Sequence, residues 1–140
     1  GLGDVYKRQG FSTLGEGEDV AICTTGCVLD EALKAKTLLE GKGIYSQIID
    51  VFKIQKNIGN ELANCLKKHK NLICVEDHMS IGGLGTYISE GILDHNISSK
   101  IRKIGVQNIF PQSGAPNLLY SRYGIDSKNI VETSLELLNN

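Results

Sequence analysis

NLICVEDHMSIGGLG, residues 71–85, carries the three signals from which the fold is read. Leu72, Ile73, Cys74 and Val75 make a nearly continuous apolar run, the mark of a central strand covered on both faces. Glu76, Asp77 and His78 end that run with two acids and an imidazole, and Gly82, Gly83 and Gly85 open a turn. Beyond the turn, Leu84, Ile88 and Ile92 fall on one face of a helix. A buried strand, a glycine turn and an amphipathic helix in succession form one step of an alternating α/β fold.

The same step repeats on either side. DVAICTTG at 19–26 reads as a strand, and Val28, Ala32, Ala35 and Leu39 then mark a helix that stops at Gly41 and Gly43. IYSQIIDV at 44–51 returns to β-type alternation, and Ile58, Leu62, Cys65 and Leu66 share one side of a second helix. Downstream, KIRKIGV at 100–106 is a strand, and FPQSGAP at 110–116 is a loop leading to a short helix around Leu118 to Tyr123. Asp126 or Ser127 can cap a terminal helix carrying Val131, Leu135 and Leu138. Near the start, FSTL at 11–14 is joined to the strand at 19–26 through Gly15, Glu16, Gly17 and Glu18. A parallel return needs a dozen residues or more, so this short connection predicts a hairpin, with FSTL as an antiparallel edge strand. The order β-β-α-β-α-β-α-β-α predicts a mainly parallel sheet between two helix layers.

One hundred and forty residues suit one domain and are short for a complete multi-domain enzyme. Lys+Arg 15 against Asp+Glu 16 gives a charge of -1 with neither sign gathered into a run, so no footprint for nucleic acid or an anionic membrane is visible. No apolar run is long enough to cross a bilayer, and the chain reads as a soluble, cytoplasmic protein. Cys23, Cys27, Cys65 and Cys74 sit in apolar segments and read as reduced thiols; Cys23 and Cys27 lack the second ligand pair that a zinc site needs. Residues 1–9, GLGDVYKRQ, fit no pattern that follows. They read as a non-native leader, of the kind that adapter read-through leaves in assembled environmental DNA. The domain proper is expected at 10–140.

Ligands in an open α/β sheet collect where strands turn into helix N-termini. The N–H groups at Gly82, Gly83 and Gly85 could hold an anion, with His78 as acid or base oriented by Glu76 or Asp77. Gly-Gly-x-Gly is not the dinucleotide fingerprint, and it follows its strand at a distance. The competing reading makes the glycines a device for close packing and the polar cluster a set of loop contacts. Cys27 lies where a helix N-terminus could lower its pKa, but no base accompanies it. Ser113-Gly114 lacks the elbow of a serine hydrolase, although the N–H groups near it could join an anion site. His69 and His95, each near a helix end, favour the helix dipole and need no further role.

The succession DVAICTTG, IYSQIIDVFKIQ, LICVEDHMSIGGLGTYISEGI, IGVQNIFPQSG and LLYSRYGIDSKNIVETSLELL resembles the C-terminal domain of transketolases across nearly everything after Gly10. Glu-Asp-His followed by Gly-Gly-Leu-Gly, with a downstream Ser-Gly and Tyr-Gly-Ile-Asp, is the specific part. Deoxyxylulose-phosphate synthases more often show His-Gly where Ser113-Gly114 stands, which favours transketolase proper, including its split form with a separate C-terminal subunit. Lys56 to Gly59 depart from the family's proline and acidic residue. C-terminal domains of 2-oxoacid dehydrogenase β-subunits share the fold but usually lack the full motif.

The resemblance implies a three-layer α/β/α sandwich on a five-stranded mixed sheet with one antiparallel edge strand. It implies a parent enzyme that transfers two-carbon ketol units between sugar phosphates, using thiamine diphosphate and magnesium held by a pyrimidine-binding and a diphosphate-binding domain. The Gly-Asp-Gly that starts the diphosphate domain is missing from this chain. The chain therefore corresponds to the third, accessory domain, with no cofactor, no metal and no catalytic residue of its own. Its expected partners are the upstream pyrimidine-binding domain, the diphosphate-binding domain or subunit, and a second copy of the parent. The alternative function is an anion- or nucleotide-binding regulatory module using His78, Gly82, Gly83, Gly85, Ser113 and Gly114.

Overall fold

The computed structural model describes residues 5–6, 9–76, 83–105 and 125–139. Its strands are β1 (Val5–Tyr6), β2 (Phe11–Leu14), β3 (Val20–Thr24), β4 (Ser46–Val51), β5 (Asn71–Val75) and β6 (Lys100–Ile104). The helices are α1 (Leu29–Glu40), α2 (Asn60–Lys67), α3 (Leu84–Asp94) and α4 (Ser127–Leu138), and a 3-10 turn at Gly26–Val28 leads into α1. The strands form one mixed sheet in the order β1-β2-β4-β3-β5-β6. Five are those read from the sequence. The two-residue β1 pairs antiparallel with β2 and extends that edge by one short strand.

β3, β4, β5 and β6 are parallel to one another, and β2 runs against them. The direction of β2 is thus as expected, but its neighbour is not β3. β2 pairs with β4, register Phe11↔Val51 to Leu14↔Ile48, and β4 lies between β2 and β3, so those two strands form no hairpin. A short connection fixes direction only. Residues 15–19 cross two strand spacings, roughly 10 Å, over the amino end of β4. The crossing is tight: a Cβ on Gly17 would strike the backbone at Tyr45 and Ser46. Reciprocal bonds from Asp19 N–H to the Tyr45 carbonyl (3.0 Å) and from Tyr45 N–H to Asp19 Oδ2 (2.8 Å) fasten it.

Period-two alternation splits the central strands between two cores. Ala21, Cys23, Ile49, Leu72 and Cys74 face α2 and α3, with Leu62, Leu66, Leu84 and Ile88. Val20, Ile22, Ile48, Ile73 and Val75 face α1 and α4, with Ala32, Ala35, Leu39 and Ile130. Both faces of β3 and β5 are covered, which explains their continuous apolar runs. Each fully buried Ile or Leu contributes about 1.5–3 kcal/mol. β6 closes the other edge and exposes Lys100, Arg102 and Lys103, charges that discourage further strand pairing.

The helical stripes fall where the spacing predicts them for α1, α2 and α3. In α4 the buried positions are Ile130, Val131, Ser134 and Leu137, so the stripe is rotated from Val131, Leu135 and Leu138. Ser134 can occupy the core because its hydroxyl donates to the Ile130 carbonyl at 2.7 Å. The loop at 110–116 and the short helix near 118–123 lie outside the described residues.

Candidate functional site

α1 leaves β3 toward one face and α3 leaves β5 toward the other. Adjacent parallel strands whose crossovers diverge make a crevice at their carboxyl ends, where α/β folds bind ligands. Glu76, Gly83 and Gly85 all lie there, and so does the turn at 24–26. Asp77, His78, Gly82, Ser113 and Gly114 fall outside the described residues. Cys27 lies within the 3-10 turn before α1.

Glu76 is 4% exposed. Its N–H donates to the Ile104 carbonyl at 3.0 Å, extending the β5–β6 pairing by one residue. Its side chain turns to the start of α3, where Oε2 accepts the Leu84 N–H at 2.6 Å. The first N–H groups of a helix have no partner within it, and the helix dipole favours a negative charge there. The carboxylate meets both needs from eight positions upstream in sequence. Gly83, the N-cap, has φ -99, which any residue adopts; its glycine is required by space, because a Cβ would stand 2.5 Å from Glu76 Oε2. At Gly85 a Cβ would meet the flexible Lys103 side chain at 2.8 Å. This acid and this glycine are one packing unit.

A second glutamate does the same for α4. Glu31, on the buried face of α1, accepts the Ser127 N–H on Oε1 at 3.0 Å and the Lys34 ammonium on Oε2 at 2.9 Å. Asp126 adds the local cap, its Oδ1 accepting the Asn129 N–H at 3.0 Å. Nothing in the spacing of residues 31 and 127 announces this contact, since it spans 96 positions.

Asp50, one residue before the end of β4, lies beside its register partner Thr24 at the end of β3. Thr24 Oγ1 donates to Asp50 Oδ1 at 3.0 Å. Burial pushes the Asp50 carboxyl up, opposed by the Thr24 hydroxyl and the Gly26 N–H, which both favour its charged form. A half-buried carboxyl held up by desolvation is the type of group that serves acid–base chemistry. Here its hydrogen bonds tie two strand ends and the following turn.

His69 departs from expectation. It is 2% exposed, and its Nε2 lies 2.9 Å from Gln47 Oε1. The Gln47 amide is oriented by its own donation to the Gly15 carbonyl at 3.0 Å, and Cys65 Sγ also donates to its oxygen, at 3.5 Å. Nε2 therefore carries the proton. Nδ1 is buried and makes no close hydrogen bond among the described residues, although the Glu18 carboxylate and backbone favour the protonated ring. Burial holds the His69 pKa below its usual value, so the ring is a neutral core group rather than a cation serving the helix dipole. His95 does end α3, its N–H donating to the Gly91 carbonyl at 3.0 Å.

Cys23 and Cys74 are register partners, and both are buried free thiols. The Cys74 side chain and burial both push the Cys23 thiol up, which makes it a poor nucleophile. No three His, Cys, Asp or Glu side chains gather as metal ligands among the described residues. None of the described helices is long and apolar enough to cross a membrane. At the opposite end of the sheet an open cleft of about 610 Å³ is lined by Lys67, Lys70, Lys100, Ser98 and Ser99. α2 ends there with Lys67 in its last turn, where an amine offsets the helix's carbonyl end.

This geometry meets known proteins in three ways. Residues 11–130 match the family model for the transketolase C-terminal domain. A protein of Methanocaldococcus jannaschii assigned as a transketolase C-terminal section is 36% identical over 122 residues, covering 86% of this chain and 37% of its own length. The 6-deoxy-6-sulfo-D-fructose transketolase subunit SqwH of a Clostridium species is 31% identical, covering 96% of this chain and 41% of its own length. The solved structure of a split-gene transketolase, described as an inactive beta4 tetramer, superposes with TM-score 0.81 at 28% identity, covering 92% of this chain and 42% of its own. The chain thus spans about two fifths of the length of these relatives. With the mixed sheet, its flanking helices and the glutamate-capped glycine turn in place, the match over most of the sequence shows that this chain belongs to the transketolase C-terminal domain family.

Proposed function

We propose that the chain is the accessory C-terminal domain of a thiamine-diphosphate-dependent, transketolase-like enzyme, and that it supports packing and subunit association rather than chemistry. The complete enzyme transfers two-carbon ketol units between sugar phosphates, and the cofactor, bound by other domains, supplies the carbanion chemistry. The chain acts on the reaction through its neighbours: an upstream pyrimidine-binding domain, a diphosphate-binding domain or subunit, and a second copy of the parent. Ser113-Gly114 favours transketolase proper over deoxyxylulose-phosphate synthase. The enzyme works in the cytoplasm.

The observation that carries this reading is the bond from Leu84 N–H to the buried Glu76 carboxylate. It commits the acid of the motif, and the first N–H of α3, to holding a helix against a strand. Ketol transfer between sugar phosphates, followed by release of the aldose product, tests the proposal. The isolated chain is expected to be inactive and the parent active; turnover by the chain alone would end it.

The second reading, an anion site at His78, Gly82, Gly83, Gly85, Ser113 and Gly114, would place the ligand against the Glu76 carboxylate and compete for the Leu84 N–H. Calorimetric titration of a sugar phosphate into the chain separates the two, because only this second reading expects saturable binding.

A further inference from the structure

Two basic runs that are far apart in the sequence, KKHK at 67–70 and KIRK at 100–103, are laid side by side by the parallel pairing of β5 and β6. The Lys100 N–H donates to the Lys70 carbonyl at 2.8 Å, and the Ser99 hydroxyl donates to the His69 carbonyl at 2.6 Å. These bonds fix Lys70 and Lys100 on neighbouring stretches of backbone, and Lys67 joins them from the last turn of α2. The three exposed lysines line the cleft of about 610 Å³ together with Asn96, Ser98 and Ser99, and among the described residues no carboxylate lines it. Arg102 follows Lys100 on the same face of β6. No ion pair among the described residues involves Lys67 or Lys70, and residues 105–124, which follow β6, contain no acid. The carbonyl end of α2 amounts to roughly half a negative charge, so it balances only part of one amine. The remaining positive charge is left for solvent or a partner to offset.

The lining defines the chemistry of that partner. Its charge calls for an anion, and amines spread over the end of α2 and the starts of β5 and β6 match several carboxylates better than a single phosphate group. An open cleft suits a segment of polypeptide, whereas small-molecule sites enclose most of their ligand. Asn96 and Ser98 supply side chains that can hydrogen-bond the backbone of such a segment. No aromatic side chain lines the cleft for a base to stack on, and its apolar member, Ile97, is 8% exposed, too little to enter a lipid surface. We infer that this cleft docks an acidic segment of a partner protein, whose carboxylates meet Lys67, Lys70 and Lys100. The inference stands on the cleft itself and goes beyond the proposed role in assembly.

Calorimetric titration of a hexaglutamate peptide into this chain tests it. Saturable one-to-one binding is expected at about 50 mM salt, weakening as salt rises to about 200 mM. Lys67→Gln combined with Lys70→Gln is expected to weaken binding by about fivefold or more. Lys53→Gln combined with Lys56→Gln removes the same charge at the other end of the sheet and should leave binding unchanged. All four lysines are exposed, and circular dichroism with a thermal melt confirms that each double variant is folded. Absence of saturable binding, or equal weakening by the two double variants, would overturn the inference. Sulfate that displaces the peptide as well at constant ionic strength as unlabelled peptide does would overturn it too, by showing a screened, solvated face in place of a site. Tighter binding of duplex DNA or of phosphatidylserine vesicles through Lys67 and Lys70 would overturn it in favour of another partner. The titration reads no ketol transfer, so failure of the docking and failure of the proposed function are seen separately.

Discussion

At the residue scale, Glu76 and Gly83 form a pair in which each explains the other. Gly83→Ala puts a methyl 2.5 Å from the Glu76 carboxylate and is expected to cost about 1–3 kcal/mol in urea unfolding. Glu76→Ala removes the acceptor of the Leu84 N–H and is expected to cost about the same. The double variant should cost clearly less than the sum, because the clash and the bond share one carboxylate. Strict additivity would show the two residues to be independent.

Buried His69 and half-buried Asp50 respond to pH in opposite directions. Burial holds His69 below its ordinary pKa of about 6.5, so the unfolded chain takes up a proton that the folded chain refuses. Stability is therefore lost as pH falls below about 6.5, by at most about 1.4 kcal/mol per pH unit from this one proton. His69→Gln should flatten that slope. Asp50 works the other way: its carboxyl is raised above 3.8, so its contribution is full below that value and is lost as pH rises through the folded pKa. Asp50→Asn should raise the urea midpoint at pH 7 relative to the parent sequence. Urea unfolding from pH 4 to 8 checks both variants.

At the scale of elements, helix packing depends on small residues that sequence periodicity marks only in part. Gly91 in α3 is required by Ile58: a Cβ would strike the Ile58 side chain. Gly91→Ala is expected to destabilise by about 1–3 kcal/mol, and Ile58→Val in the same chain to recover part of the loss. A thermal melt that finds Gly91→Ala neutral would contradict the packing.

The stripes of α1, α2 and α3 were legible because a buried helix face repeats every three or four residues. The tertiary caps were not. Glu76 read as an orienter of His78 or a loop contact and Glu31 carried no signal, because nothing local to either one shows which distant helix start it reaches. The stripe of α4 was misplaced for a related reason: Ser134 satisfies its hydroxyl on its own helix and so passes into the core as if apolar.

At the scale of the whole molecule, the alternation of strands and helices gave the layers, and loop length gave the direction of β2. Strand order was illegible, because the insertion of β4 between β2 and β3 depends on contacts between residues far apart in the chain, such as Phe11 with Val51. His69 was misjudged for the same reason, its partner Gln47 being 22 positions away.

The proposed function rests on one claim: Glu76 and Gly83, which flank the glycine-rich turn after β5, serve to hold α3 against the sheet, and the motif does not turn substrate over. The most direct test is the turnover number, per assembled and cofactor-loaded parent enzyme, of Glu76→Gln and His78→Ala, measured with the thermal midpoint of each. Turnover within about twofold of the parent sequence, with a lowered midpoint or weaker assembly, is the predicted result. A fall of about a hundredfold or more, the range expected for loss of an acid–base catalyst, with midpoint and assembly unchanged, would contradict it.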